Sequence, residues 1–452
     1  MITTSGEIVN LQIVMLYTFL KIILGFGTRM YYRDIHIKNR ERLQHDGPTL
    51  IIANHPNTLM DAWIIAQLSD RKVYCMTKGT FFNTRIKRWF LKSLGLIPVN
   101  RSIDRKTQGV SNVESLELCC KVLEEGKTLV VFPEGNSELE HQLRALKTGA
   151  ARIALEVEKR YQGKLDLKIV PIGLIYMKGD KFRSSVFGRV GTEISPLQYL
   201  ELYRANESLA ARNLTNDFRE SLESLLLESQ SREQDLLVDD IAEVLSFEPA
   251  DVPGYDLEKN VEEVKRINEK LNQINAETPW KMEEIQRLVS KIRWQLGQFD
   301  IKSKQLDTRV GPGVVISQLL ETVFVLVFGL PLFVFGALHN FIPFKLTQFL
   351  MPKIVRDIEY YAPIAVLLGV VLYPLTYIGF VVTLNQFIHV NFWTELVYFS
   401  LMPIGGLFAY YFLREVGNIT FRWNYVFLVS SQRDKLSALR SDRSRLHYLI
   451  FG

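Results

Sequence analysis

Two pairs of residues in this chain have the types and spacing of a proton-transfer site. His55 and Asp61 follow the apolar run Leu50 to Ala53, and Glu134 and Gly135 follow a second run, Thr128 to Phe132. An imidazole at a strand end, with a carboxylate on the next helix, makes a general base and its orienting group. A separate Glu-Gly turn can hold a polar substrate opposite them. Each residue alone has a plainer reading. His55 could bond a backbone carbonyl, Asp61 could cap a helix, and Glu134 and Gly135 could be ordinary turn formers.

The pairs gain meaning from their surroundings. Asn54-His55-Pro56-Asn57-Thr58-Leu59-Met60-Asp61 is followed by Gly95-Leu96-Ile97-Pro98-Val99-Asn100-Arg101, then by Phe132-Pro133-Glu134-Gly135-Asn136-Ser137 and Ile169-Val170-Pro171-Ile172-Gly173-Leu174. In this order the blocks resemble those of the glycerolipid acyltransferase family, and Leu146 to Ala151 is similar to the stretch that follows that family's third block. The likeness covers about residues 30 to 200. It implies His55 and Asp61 as catalytic residues and a binding role for Glu134 and Gly135 toward the glycerol and phosphate of an acceptor. Arg101 is the phosphate clamp on this reading, with Asn54, Lys78, Asn136, Ser137 and Lys147 as further binding or loop-holding residues. It also implies an acyl-CoA or acyl carrier protein thioester as donor, no metal and no cofactor.

The chain departs from the family's pattern twice. Five residues, Pro56 to Met60, separate His55 from Asp61 where four are usual, which makes Asn57 a second candidate for orienting the imidazole. Pro56 fits the first position of the helix that would carry Asp61. The third block continues with Asn136 and Ser137 instead of Thr and Arg, so Arg101 or Lys147 must supply the missing cation.

Composition excludes several other classes. Cys75, Cys119 and Cys120 are an odd count with two adjacent members, which argues against a disulfide framework and for small core residues in a reducing compartment. There is no His/Cys cluster at metal-ligand spacing. Gly126-Lys127-Thr128 has Lys121 where a phosphate-binding loop needs its first glycine, so nucleotide hydrolysis is not expected. From Arg71 to Lys106 ten Lys and Arg face one acid, Asp104, and are interleaved with Phe81, Phe82, Trp89 and Phe90. That mixture suits an anionic lipid surface; the competing reading, single-stranded nucleic acid, is set aside because the same chain carries membrane segments.

Those side chains need elements to hold them. Apolar runs at Leu50 to Ala53, Lys72 to Met76, Leu96 to Val99, Thr128 to Phe132, Lys168 to Ile172 and Ser184 to Val190 alternate with helical patterns, as at Val110 to Glu124 and Gly149 to Tyr161. This predicts an α/β layer, the family's mixed sheet flanked by helices, with the site outside the strand ends. The expected order is an anchor helix at 1–32, an α/β domain at 33–200, a charged helical region at 201–310, membrane helices at 311–413 and a basic cytoplasmic tail at 414–452. The charged region reads as two or three amphipathic helices that cover the layer or form a hairpin, with a helix start at Thr278-Pro279. Ala362 to Leu384 and Phe392 to Phe412 are long enough to cross a bilayer, and their basic outer flanks put both ends in the cytoplasm. Gly329 and Pro331 divide Val314 to Phe344, predicting a re-entrant hairpin with Glu321 and His339 near the surface.

The functional expectation is a multi-pass membrane acyltransferase facing the cytoplasm. It would acylate glycerol-3-phosphate or 1-acylglycerol-3-phosphate, with membrane lipids as surroundings and no nucleic acid partner. Remodelling of other lysophospholipids, or a non-catalytic lipid-binding module, are the alternatives. The sequence does not choose the oligomeric state.

Overall fold

The computed structural model describes residues 3–99, 112–139, 142–227, 231–245 and 256–452. They fall into two compact units, Met1–Glu228 with Asp357–Val366, and Ser229–Arg356 with Leu367–Gly452. The first unit runs α1 (Thr3–Tyr31), β1 (Asp34–Lys38), β2 (Thr49–Ala53), α2 (Leu59–Leu68), β3 (Val73–Lys78), α3 (Arg85–Ser93) and β4 (Leu96–Val99). It continues with α4 (Asn112–Glu124), β5 (Thr128–Val131), α5 (Gly149–Arg160), β6 (Lys168–Tyr176), β7 (Ser185–Val190), α6 (Leu200–Ala205) and α7 (Glu207–Leu225). The seven strands form one sheet in the order β1-β7-β6-β2-β5-β3-β4. All neighbours are parallel except β6 and β7, so the sheet is mixed, as expected.

Burial explains the central strands. β2 and β5 are buried at every position, the pattern of strands covered on both faces. Leu50, Ile52, Leu129 and Ile169 pack under Cys119, Leu123, Ile153 and Phe218 from α4, α5 and α7. The three cysteines are free and buried. β1 was not expected from the sequence; it pairs with β7 at the sheet edge and is only half-buried.

The second unit contains α8 (Arg232–Val244), α9 (Leu257–Glu277), α10 (Pro279–Phe299), α11 (Pro312–Ile354), most of α12 (Tyr361–Phe387), α13 (Phe392–Ser431) and α14 (Arg433–Phe451). Asp256 caps α9 by accepting from the Glu258 and Lys259 N–H groups, and Pro279 opens α10, as the sequence predicted. The charged helices bury one apolar stripe each: Ile241 from α8, Ile267 and Leu271 from α9, Ile285 and Ile292 from α10, Leu439 and Leu446 from α14.

Three expectations are corrected. The boundary drawn at 200 falls where α6 begins, and α7 packs its Leu214 and Phe218 into the sheet's core, so the charged region starts later than 201. Pro312–Ile354 is one continuous helix, not a re-entrant hairpin. Gly329 is used there for packing, since a Cβ on it would meet the Phe412 ring within 2.5 Å, and Gly336 lies against the Gly405 carbonyl. His339 is buried, its ring nitrogens at 2.8 Å from the Phe335 carbonyl and 2.6 Å from the Tyr398 hydroxyl, instead of lying near a surface. The tail expected at 414–452 is made of helices: α13 continues to Ser431 and α14 follows from Arg433, with Arg422 paired to Glu415 at 2.7 Å and to Glu321 at 3.2 Å. Gln12–Tyr31, Pro312–Ile354, Ile358–Phe387 and Phe392–Ser431 are each long and apolar enough to cross a membrane.

Candidate active site

The parallel strands β2, β5 and β3 lie side by side and end at Ala53, Val131 and Lys78. Residues just past those ends therefore meet at one edge of the sheet, where α/β layers bind their ligands. The register pairs Ala53 with Ile172 of β6. Asn54 then continues the ladder with its side chain, accepting from the Leu174 N–H at 2.7 Å and donating to the Leu174 carbonyl at 2.8 Å. Asn54 is thus a strap that fixes the direction in which the chain leaves β2.

His55 and Asp61 come together despite the extra residue between them. The imidazole Nδ1 lies 2.9 Å from Asp61 Oδ2, with the His55 side chain 16% exposed and that of Asp61 fully buried. An Nδ1–H donated to the carboxylate leaves Nε2 to accept a proton. The ring stacks on Phe132 at 4.0 Å and 11°. Asp61 Oδ2 also accepts the Asn57 N–H at 2.8 Å, and Oδ1 accepts the Tyr176 hydroxyl at 2.7 Å. The helix carrying Asp61 begins at Leu59, so Pro56 precedes it and does not occupy its first position.

Between His55 and Asp61, Thr58 adopts φ 44° and ψ −118°. For a β-branched side chain this is a strained conformation, costing about 1–3 kcal/mol. Two hydrogen bonds hold it: its N–H donates to Ser137 Oγ at 2.8 Å and its hydroxyl to the Glu359 carbonyl at 3.0 Å. Asn57 is committed elsewhere, its side-chain amide donating to the Tyr32 hydroxyl at 2.9 Å and the Gly179 carbonyl at 3.2 Å. Only its backbone N–H reaches the His55–Asp61 pair.

Glu134 lies across from His55 and is tied by both oxygens. Oε1 accepts the His55 N–H at 2.8 Å and Oε2 the Arg144 N–H at 3.2 Å. Burial pushes its carboxyl above the usual range, with those two N–H groups pulling the other way. In this geometry Glu134 joins the histidine turn to the loop before α5. Glu134→Gln should put an amide NH2 against one of those N–H groups and cost about 1–3 kcal/mol of stability. A thermal melt at neutral pH checks this; an unchanged melting temperature would mean the tie contributes nothing.

Gly135 has φ 74°, and a Cβ there would collide with the Lys147 ammonium, whose side chain lies across the glycine. Lys147, exposed at the mouth of this turn, is therefore a described cation next to the third block. Ser137 serves the Thr58 turn, Asn136 is exposed, and Lys78 is half-buried at the end of β3. Arg101 lies outside the described residues, two positions beyond the end of β4.

Tyr176 and Tyr32 were not singled out by sequence reasoning, and Phe132, quoted in the third block, was given no role beside His55. That role could have been found, because Phe132 directly follows β5, the strand beside β2, at a register that brings it next to Ala53 and the turn beyond. Nothing in the sequence marks Tyr176, which reaches Asp61 only because β6 outruns β2 by four residues.

Residues 34–175 match the family model described as Acyltransferase, as the four sequence blocks imply. A chloroplastic 1-acyl-sn-glycerol-3-phosphate acyltransferase of Arabidopsis thaliana is 27% identical over 145 residues, which are 32% of this chain and 36% of that one. A 1-acyl-sn-glycerol-3-phosphate acyltransferase of Chlamydomonas reinhardtii is 29% identical over 150 residues, 33% of this chain and 40% of that one. The chain thus spans well under half the length of these relatives. Among solved structures, the 1-acyl-sn-glycerophosphate acyltransferase PlsC of Thermotoga maritima aligns with a TM-score of 0.32 at 18% identity, covering 45% of this chain and 79% of that one.

Proposed function

We propose that this acyltransferase domain moves a fatty acyl group from acyl-CoA, or an acyl carrier protein, to a hydroxyl of glycerol-3-phosphate or 1-acylglycerol-3-phosphate. The observation that carries the reading is the His55 imidazole held through Nδ1 by the buried Asp61 at the sheet's ligand-binding edge. Nε2 takes the proton of the acceptor hydroxyl as its oxygen attacks the thioester carbonyl. A C–O bond forms, the C–S bond breaks, and the proton passes from His55 to the departing thiolate. The thioester is already activated and the acceptor is the nucleophile, so the reaction as written needs neither a covalent enzyme intermediate nor a metal. Holding both reactants at the sheet edge lowers the barrier by several kcal/mol.

Cations supply the acceptor's specificity on this reading. Lys147 beside Gly135, Lys78 at the end of β3 and Arg101 in the second block would meet the phosphate. Arg101→Ala should raise the KM for a phosphorylated acceptor about tenfold and that for acyl-CoA less than twofold. Equal rises in the two constants would take the phosphate from Arg101 and assign it a structural or donor-binding role.

The acyl chains of substrate and product account for the four long apolar helices, and they require the catalytic layer to work at a lipid surface. Helix α3 fits that surface: Ile86 and Trp89 are 80% and 57% exposed among Arg85, Lys87, Arg88 and Lys92. Mass spectrometry of lipids formed by the purified chain, from one acyl-CoA and a panel of glycerol phosphates and lysophospholipids, tests the reading. Phosphatidate or lysophosphatidate should dominate; acylation of other lysophospholipids alone would replace the proposed acceptor.

A further inference from the structure

Asp61 is fully buried, and a buried carboxylate is tolerable only when donors surround it. Three do so: His55 Nδ1 and the Asn57 N–H share Oδ2, and the Tyr176 hydroxyl lies 2.7 Å from Oδ1. The Tyr176 donor is the one that fixes the second oxygen. With Oδ1 held, the carboxylate plane cannot swing about its last torsion, and Oδ2 stays where the imidazole needs it.

We propose that Tyr176 is a positioning residue for this reaction, acting on His55 through Asp61. The inference rests on the reading of His55 as general base. Tyr176 is the last residue of β6, 4% exposed, with its ring tilted against Tyr32 at 5.6 Å. Burial first, and the neighbouring Asp61 second, push its hydroxyl well above the usual tyrosine range, so it keeps the proton it donates. The opposite side of the carboxylate is organised by the same means at one remove. Tyr32 donates to the Gly179 carbonyl at 2.7 Å and accepts from the Asn57 amide, which places the Asn57 backbone N–H on Oδ2. A tyrosine on β6 and another just after α1, both buried, thus frame the pair.

The test is Tyr176→Phe in the purified full chain, alone and combined with Asp61→Asn, with rates referred to the folded fraction from melting curves. The phenylalanine keeps the ring and removes only the hydroxyl. We expect kcat to fall about tenfold with the KM of donor and acceptor unchanged, and no further fall when the change is added to Asp61→Asn, since residues that act as a unit are not additive. A kcat within twofold of wild type, a loss confined to melting temperature or KM, or multiplying losses in the double variant would each overturn the proposal. In those outcomes the wild type still transfers acyl groups and the functional reading stands. A wild type inactive toward every acceptor would overturn both.

Discussion

His55→Ala should lower kcat by about two to four orders of magnitude, the usual worth of a positioned general base, with the KM of the acceptor nearly unchanged. On the proposed reading the imidazole contacts the hydroxyl proton only as it is transferred, whereas charges elsewhere hold the acceptor. The variant should fold: the His55 N–H that Glu134 accepts belongs to the backbone and survives the substitution. Steady-state rates of the purified variant check this. A kcat within threefold of wild type would remove the histidine from the chemistry.

Asp61→Asn should cost nearly as much, on the order of a hundredfold or more in kcat. An amide cannot accept from the Asn57 N–H, the His55 Nδ1–H and the Tyr176 hydroxyl with the arrangement seen around the carboxylate. The spacing of the first block leaves Asn57 as a second orienter, which would soften the loss. Its side chain is instead occupied by Tyr32 and Gly179, so no substitute is at hand. A loss below tenfold would mean that another group orients the ring.

The edge that carries the candidate site was legible because it depends on residues that betray themselves. Leu50 to Ala53 and Thr128 to Phe132 are apolar runs short enough for buried strands, and the polar residues that follow them are forced to the same end of a parallel sheet. The half-buried β1, Asp34–Lys38, alternates charge with isoleucine and is defined by its pairing with β7, a contact about 150 residues away that no local pattern announces. Glu134 is expected as a binding residue and Asn54 as a binding or loop-holding one; the structure adds that the side chains of both tie backbone segments together. A side chain's type says that it will accept or donate, not which partner the fold brings within reach. Thr58 is the clearest case, since its strained backbone depends on Ser137 and Glu359, distant in sequence. The membrane stretch was misread at Gly329 and Pro331 because glycine marks a bend in isolation, whereas against a neighbouring helix it permits close packing.

The central claim is that His55 activates an acceptor hydroxyl for attack on a thioester. The measurement that tests it most directly is release of free thiol from acyl-CoA by purified wild type and His55→Ala, with and without 1-acylglycerol-3-phosphate or glycerol-3-phosphate. The account predicts thiol release that requires an acceptor, matches acylated product mole for mole and nearly vanishes in the variant. Thiol release at the same rate in both proteins, or none in the wild type with either acceptor, would contradict it.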